Sequence, residues 1–151
     1  MADKYVHFLE AKKNLNRAWR VLKELQKNPD ESEVWMAAYR MCLIDYCKPF
    51  KRSNGISEKT LKLEVPNFPA HLQETHEYVM TARDKILAHS DLEPLNAKLI
   101  YSKFTISDLP MIVRTDVPNF PAIELMLELV EFAVKELART EPNFLPRRRD
   151  P

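Results

Sequence analysis

The chain of 151 residues contains a single glycine, Gly55. Glycine is the residue that most readily adopts the backbone conformations of tight hairpin turns and bulges, whereas helices disfavour it. A chain with so little glycine is poorly suited to a sheet-rich fold. The composition therefore predicts an all-α, or mainly α, protein.

Cysteine and long apolar runs are also scarce. Cys42 and Cys47 are five residues apart, a spacing of neither a zinc knuckle nor a redox pair, which indicates free, half-buried thiols. No signal peptide is recognisable, and charged residues interrupt the longest apolar stretch, 123–137, so that it cannot cross a membrane. These absences predict a soluble protein of the reducing cytoplasm with no membrane partner.

An excess of charge of one sign is absent as well. The chain has 23 Lys and Arg against 22 Asp and Glu, so its net charge is +1. A near-neutral chain is not a general polyanion binder, and any contact with nucleic acid requires a local basic patch. Lys48, Lys51 and Arg52 form one such run; cations are also common at the end of a helix for structural reasons. Residues 147–151 form a basic tail after a single domain, 1–146.

What the sequence does contain is helical periodicity. Apolar residues recur at helical spacing over four segments, 4–27, 31–47, 68–88 and 120–139, which predicts an antiparallel bundle of about four long helices. Asp30 or Ser32 is available to cap the second helix. The residues expected to point inward from this helix include Val34, Ala38, Met41, Cys42 and Leu43.

Two helices are preceded by the same hexapeptide, Val-Pro-Asn-Phe-Pro-Ala, at residues 65–70 and 117–122. Asn67 and Asn119 could cap the amide three residues later, with Pro69 and Pro121 in the first helical turn. The Pro-x-x-Pro spacing could instead be a ligand for an aromatic groove. We favour helix entry.

One strand-like segment, 98–106, lies between these helices and is rich in β-branched and aromatic residues. The following residues, 107–115, could form a returning strand or a short helix capped by Ser107. We expect a short β-hairpin or an extended excursion near residues 97–116.

The segment Thr81-Ala-Arg-Asp-Lys-Ile-Leu-Ala-His-Ser-Asp91 carries the most chemistry. Arg83 is a permanent cation, and His89 titrates near neutrality. Six residues of ideal helix advance about 9 Å and leave the two side chains about 120° apart. Either the helix loosens near Ala88, or a second copy of the chain completes the site.

A two-fold axis would bring together two histidines, one to accept the 2′-hydroxyl proton of RNA and one to protonate the leaving oxygen. Two arginines would stabilise the charge on the phosphorus centre. Asp84 and Asp91 could orient Arg83 or His89. The carboxylates are too few for a two-metal site. The plainer interpretation stays open: His89 could bond to free helix carbonyls, and the Arg83–Asp84 pair could simply be solvated.

Arg83-Asp84, four residues and then His89 resemble the motif of the HEPN superfamily, and the wider string Arg-Asp-Lys-x-x-Ala-His-Ser-Asp is similar to its abortive-infection-like branch. The motif core covers seven residues, and the supporting helix order covers most of the chain. The resemblance implies a helical bundle, a homodimer, and a metal-independent endoribonuclease of toxin or antiphage systems, with RNA as substrate and no cofactor.

Carried over by position, the resemblance implies that Arg83 and His89 are catalytic and that Asp84 is the supporting polar residue. Candidate RNA-contacting residues are Lys85, Asp91 and the run Lys48, Lys51 and Arg52. Asp91 occupies the place where toxins controlled by a nucleotidyltransferase carry a tyrosine, so control by tyrosine modification is not expected; a cognate antitoxin or neighbouring gene product remains an expected partner. A non-catalytic HEPN-like module that binds nucleotides, RNA or protein, and a structural helical adaptor, are the alternatives.

Two other clusters were weighed against structural explanations. His71 and His76, with nearby glutamates, lack the spacing of a di-iron site, and we expect both to be polar residues on the solvent-exposed surface. Tyr46 and Phe50 alternate with cations as in an RNA-stacking patch, but the end of a helix attracts cations in any case, and we favour this structural cause. Trp19 and Trp35 are expected to fill the bundle core, and no metal site is predicted.

Overall fold

A computed structural model describes residues 2–30, 32–54, 60–84, 97–100, 111–114 and 120–141. Within these ranges it has four α-helices: α1 (Ala2–Lys27), α2 (Glu33–Cys47), α3 (Ala70–Ala82) and α4 (Ile123–Thr140). A 3₁₀ turn, Lys48–Phe50, follows α2, and two short strands, β1 (Ala97–Ile100) and β2 (Met111–Arg114), lie between α3 and α4. The prediction of a mainly α-helical fold is confirmed.

The helices pack as a bundle. Helix α1 lies against both α2 and α4, while α3 packs on α4 and more lightly on α2. The inward face of α1 consists of Phe8, Ala11, Leu15, Ala18 and Leu22, each no more than 2% exposed. These residues recur every three or four positions and so form one continuous stripe, as their spacing predicts.

Helix α2 begins where the sequence indicates, but its buried face is different from the expected one. The Ser32 side chain accepts a hydrogen bond from the Trp35 amide at 3.2 Å and caps the helix. Val34 is 79% exposed and Met41 is 51% exposed, so the prediction that they point inward was wrong. The face that meets α1 and the bundle core is instead formed by Tyr39, Cys42, Leu43, Asp45, Tyr46 and Cys47.

The starts of α3 and α4 also differ from the prediction. Both helices begin one or two residues after the second proline of the repeated hexapeptide, and the N-cap residues are Pro69 and Ala122, neither with a side-chain cap. Asn67 is therefore not the cap of α3. The carbonyl of Pro69 accepts the amides of Leu72 and Gln73 at 2.9 Å, because a fixed proline φ already directs the chain into the first turn. Asn119 lies outside the described residues.

The strands β1 and β2 form an antiparallel pair in which Ala97 is opposite Arg114 and Ile100 is opposite Met111. The pairing agrees with the β-hairpin, one of the two forms expected near residues 97–116, and residues 111–114 form a strand rather than a helix. Residues 101–110 and 115–119, including the rest of the predicted strand, lie outside the described part of the chain, as does the basic tail, 147–151.

Several smaller predictions were corrected. Both cysteines are free thiols, as expected, but they are buried rather than half-buried. Trp19 and Trp35 lie partly buried at the edge of the core, because each indole N–H donates to an acceptor there: Trp19 to Glu131 at 2.9 Å and Trp35 to the Leu25 carbonyl at 3.3 Å. Among the described residues, no helix is both long and apolar enough for a membrane span.

Candidate functional site

Arg83 and Asp84 directly follow α3, where the helix widens into a π-helical turn. The Arg83 amide is shared between the carbonyls of Val79 and Met80. Such wide turns interrupt the regular helical hydrogen bonds and occur frequently at functional sites. The loosening of the helix predicted near Ala88 falls outside the described residues and stays a prediction.

Asp84 connects two cations. Its carboxylate accepts a hydrogen bond from Arg83 Nη1 at 2.9 Å and another from Lys51 Nζ. The hydrogen bond from Lys51, reinforced by that from Arg83, holds the pKa of Asp84 below its usual value against the opposing effect of burial. All three side chains are between 32% and 41% exposed, so the cluster is accessible from solvent.

Arg83 lines a cleft of about 470 Å³ between the amino-terminal part of α1 and the segment 48–54. The other cations that line this cleft are Lys48, Lys51 and Arg52, which are the residues of the basic run identified in the sequence. The tertiary structure therefore brings the run to the same cleft as Arg83, although 31 residues separate Arg52 from Arg83 along the chain.

The cleft is also lined by acidic and apolar residues. Asp3 and Glu10 on α1 line the cleft and partly offset its four cations. Val6, Pro49 and Leu61 add apolar surface. A concave site that combines apolar walls with a few convergent polar groups is the usual form of a small-molecule or nucleotide site.

His7 lines the same cleft and was missed by the sequence analysis. Its Nδ1 is 3.1 Å from the Ser53 hydroxyl, and the hydroxyl is 3.4 Å from the Leu61 carbonyl. Its Nε2 is buried and has no hydrogen-bond partner among the described residues. Burial lowers the pKa of His7, which favours the neutral ring at neutral pH. The sequence carries little signal for this role, since His7 is simply a polar residue beside the apolar stripe of α1.

A buried carboxylate fixes the position of Lys48. Asp45 is 2% exposed and accepts hydrogen bonds from Arg17 at 2.6 Å and from Lys48 Nζ at 2.8 Å. Burial alone would raise the pKa of Asp45, but the two cations outweigh it and hold the pKa below its usual value. The Asp45 carboxylate thus partly neutralises the charge of Lys48 and fixes the position of its ammonium group. Arg52, in contrast, is exposed and has no ion-pair partner within the described ranges.

RNA stacking, the less favoured interpretation of Tyr46 and Phe50, was wrong. Tyr46 and Phe50 are 0% and 3% exposed, so neither ring can stack on a base. Tyr46 instead forms a 2.7 Å hydrogen bond with Nδ1 of His76, and the His76 ring packs against Phe50 and Phe68 at centroid distances of 5.3 and 5.2 Å. His76 is 5% exposed, so the prediction that it lies on the solvent-exposed surface was also wrong.

His71 does lie on the surface, where Nε2 is 2.9 Å from Glu128 on α4. In the described part of the chain, no group of three or more His, Cys, Asp or Glu side chains is arranged to hold a metal ion. The two histidines thus have different structural roles. His71 contacts α4 at the surface, whereas His76 is buried in the core.

The structure therefore gathers Arg83, Lys48, Lys51 and Arg52 at one cleft. Asp84 pairs with two of these cations, Arg83 and Lys51. The remaining site residues predicted from the sequence, Lys85, His89 and Asp91, lie outside the described residues. Comparisons with protein-family models, with curated proteins and with solved structures found no match to this chain. The HEPN resemblance stays a prediction that depends on the motif and the helix order.

Proposed function

We propose that the protein is a HEPN-type, metal-independent endoribonuclease that acts as a cytoplasmic homodimer in a toxin or antiphage system. The observation that carries the proposal is the cleft around Arg83: the arginine of the motif shares it with Lys48, Lys51 and Arg52. A near-neutral chain needs such a local concentration of cations to bind RNA.

The contacts of Asp84 support the role that the motif implies for it. The carboxylate holds the Arg83 guanidinium at 2.9 Å and also binds Lys51, so the two cations are oriented before substrate arrives. Fixed donors of this kind stabilise charge that develops on a phosphorus centre without further reorganisation.

In the proposed reaction, the 2′-hydroxyl of RNA attacks the adjacent phosphorus while the bond from phosphorus to the 5′-oxygen breaks. His89 of one protomer accepts the 2′-hydroxyl proton, and His89 of the second protomer donates a proton to the leaving 5′-oxygen. The Arg83 guanidinium groups stabilise the charge on the phosphoryl oxygens. The products are a 2′,3′-cyclic phosphate and a 5′-hydroxyl end.

The test is RNA cleavage by the purified chain in the presence of EDTA, with total RNA, tRNA and single-stranded oligonucleotides as substrates. His89→Ala and Arg83→Ala should each lower the rate by about 100-fold or more, because each removes a group that acts in the transition state. Arg83→Lys should remain impaired, since an ammonium does not reproduce the bidentate guanidinium.

Matched controls are His71→Ala and Arg139→Ala, which change exposed residues outside the cleft. Both controls should cleave RNA at the wild-type rate. Wild-type protein that is dimeric and folded but inert on all three classes of RNA would refute the nuclease proposal. A strictly monomeric protein that cleaves RNA would refute the composite site.

One observation favours the alternative, a non-catalytic module that binds RNA, nucleotides or a protein partner. Arg83 and Lys51 are already paired with Asp84 within a single chain, as in a stable structural cluster. This alternative predicts that RNA binding by His89→Ala equals that of the wild type while neither protein cleaves RNA. Fluorescence anisotropy with a labelled oligonucleotide, run beside the cleavage assay, separates the two functions.

A further inference from the structure

Two ion clusters contribute cations to the cleft around Arg83, and each has one carboxylate between an arginine and a lysine. In the first, the Asp45 carboxylate accepts hydrogen bonds from Arg17 Nε and Nη2, both at 2.6 Å, and from Lys48 Nζ at 2.8 Å. Asp45 is 2% exposed, whereas the side chains of Arg17 and Lys48 are 45% and 43% exposed. A buried carboxylate thus holds two accessible cations, and we name this group the Asp45 cluster.

The second group, which we name the Asp84 cluster, consists of Lys51, Arg83 and Asp84. The Asp84 carboxylate accepts hydrogen bonds from Arg83 Nη1 at 2.9 Å and from Lys51 Nζ. Since two cations surround one carboxylate, each cluster carries a net charge of +1. A phosphodiester carries one negative charge, so each cluster complements one phosphodiester group.

The backbone determines how the two clusters are spaced. Lys48 and Lys51 both line the cleft, and the Lys51 amide donates a hydrogen bond to the Lys48 carbonyl at 3.3 Å. In a 3₁₀ turn, residues three apart lie on the same side and are separated by about 6 Å along the axis. Because each ammonium group is held by a different carboxylate, the two lysines are kept as separate positive centres.

This spacing indicates the class of ligand. The two phosphates of a nucleoside diphosphate share an oxygen atom and so lie close together. Successive phosphates of a nucleic-acid strand are separated by a sugar and match two separate centres better.

We propose that the two clusters bind two successive phosphates of one RNA strand, one at Lys48 and the other at Lys51 and Arg83. The choice of RNA rests on the proposed function, in which Arg83 stabilises charge at the phosphate that is cleaved. The Asp45 cluster then binds the neighbouring phosphate, and a trinucleotide is the shortest RNA that occupies both clusters.

The first test is calorimetric titration of the full chain, at low ionic strength, with a 2′-O-methyl trinucleotide. This ligand has two phosphodiester groups, and its methylated 2′-oxygens cannot attack them. The comparison ligands have the first or the second phosphodiester replaced by an uncharged methylphosphonate. The unmodified trinucleotide should bind about five- to tenfold more tightly than either, because it makes one more charged contact. Equal affinity of all three ligands, or no measurable binding of the unmodified one, would overturn the proposal.

The second test removes one cation from each cluster in turn. Lys48→Gln leaves the Arg17–Asp45 pair without net charge, and should weaken binding of the unmodified trinucleotide about fivefold. The methylphosphonate ligands should lose less than about twofold, because their single charge can still occupy the Asp84 cluster. Lys51→Gln should give the same pattern through the other cluster. Equal weakening of all three ligands, or no weakening of any, would overturn the proposal.

Lys27→Gln is the matched control. Lys27 pairs with Glu24 three residues earlier, as Lys48 pairs with Asp45, but it does not line the cleft. This variant should bind every ligand as the wild type does. A loss in Lys27→Gln equal to that in Lys48→Gln would overturn the proposal, since it would show a general effect of charge.

A third measurement uses the salt dependence of binding to a longer 2′-O-methyl oligonucleotide. For single strands, the logarithm of the binding constant falls with the logarithm of the salt concentration, with a slope of about −0.7 for each phosphate contacted. Lys48→Gln and Lys51→Gln should each make the slope less steep by about 0.7, because each loses one contact. A slope unchanged in either variant would overturn the proposal.

Failure here is distinguishable from failure of the nuclease. A protein that discriminates the trinucleotides as described but cleaves no RNA leaves this inference intact and refutes the nuclease proposal. A protein that cleaves RNA but binds all three trinucleotides equally does the reverse.

Discussion

The hydrogen bond between Tyr46 and His76 offers the sharpest test of the packing that supports the cleft. Both residues are buried, and the Tyr46 hydroxyl lies 2.7 Å from His76 Nδ1. Tyr46→Phe removes the hydroxyl and leaves the buried ring nitrogen without its partner. Since an orphaned buried polar group costs about 1–3 kcal/mol, we expect the free energy of unfolding to fall by that amount.

Lowering the pH should also lower the free energy of unfolding, because His76 becomes protonated. Burial lowers its pKa in the folded protein below the 6.5 of the unfolded chain, so the unfolded state binds the proton first as the pH falls. Stability is therefore full above about pH 6.5 and is lost as the pH falls towards the folded-state pKa, by at most about 1.4 kcal/mol per pH unit for one group. His7, whose pKa burial also lowers, adds a second contribution of the same sign.

Urea unfolding followed by circular dichroism at pH 7.5 and pH 5.5 measures both effects. The double variant Tyr46→Phe/His76→Phe should recover part of the stability lost in Tyr46→Phe, because an apolar pair leaves no polar group unsatisfied. It should also lose the part of the pH dependence that His76 contributes. Tyr78→Phe, at a tyrosine that is 39% exposed, is the matched control and should change little.

If Tyr46→Phe proves as stable as Tyr78→Phe at pH 7.5, the inference that this hydrogen bond supports the core is wrong. If the double variant keeps the full pH dependence of the wild type, His76 is not the group that titrates.

Three further outcomes follow from the same contacts. In Asp84→Asn, Lys51 and Arg83 lose the carboxylate that competes with RNA phosphate for them. We expect this variant to bind a single-stranded RNA oligonucleotide about two- to fivefold more tightly than the wild type in an anisotropy titration. Equal or weaker binding would contradict this prediction. Burial raises the pKa of Cys42 and Cys47 to about 12, so both thiols should react with Ellman's reagent at pH 8 only after unfolding. Rapid reaction of the native protein would disprove this prediction. Asp45→Asn should lower the free energy of unfolding by about 1–2 kcal/mol in urea titrations, since Arg17 and Lys48 lose their buried counter-charge. An unchanged unfolding midpoint would show that these ion pairs do not stabilise the fold.

The helices were predictable because their signals are local. The apolar stripe of α1 and the Ser32 cap of α2 each depend on residues within one or two turns. The buried position of His76 was also within reach of such reasoning. Leu72, His76 and Val79 have the spacing of an inward helical face, and all three are buried. The helical face on which a histidine lies, rather than its polarity, decides whether it is buried.

The exposure of Val34 and Met41 was not predictable in this way. An apolar residue on a helix turns inward only if another element covers it, and the face of α2 that contacts its neighbours is centred on Cys42, Leu43 and Tyr46. Which face is covered depends on how α1, α3 and α4 pack around α2, and no local pattern carries that information.

By itself, the sequence determined the helical class of the protein and the approximate position of its helices, and it singled out Arg83 and Asp84 as candidate site residues. Only the tertiary structure decided that Lys51 binds Asp84 and that His7 lies at the cleft of Arg83. The reason is physical: helix formation follows from interactions three or four residues apart, whereas a cleft depends on the packing of segments distant along the chain.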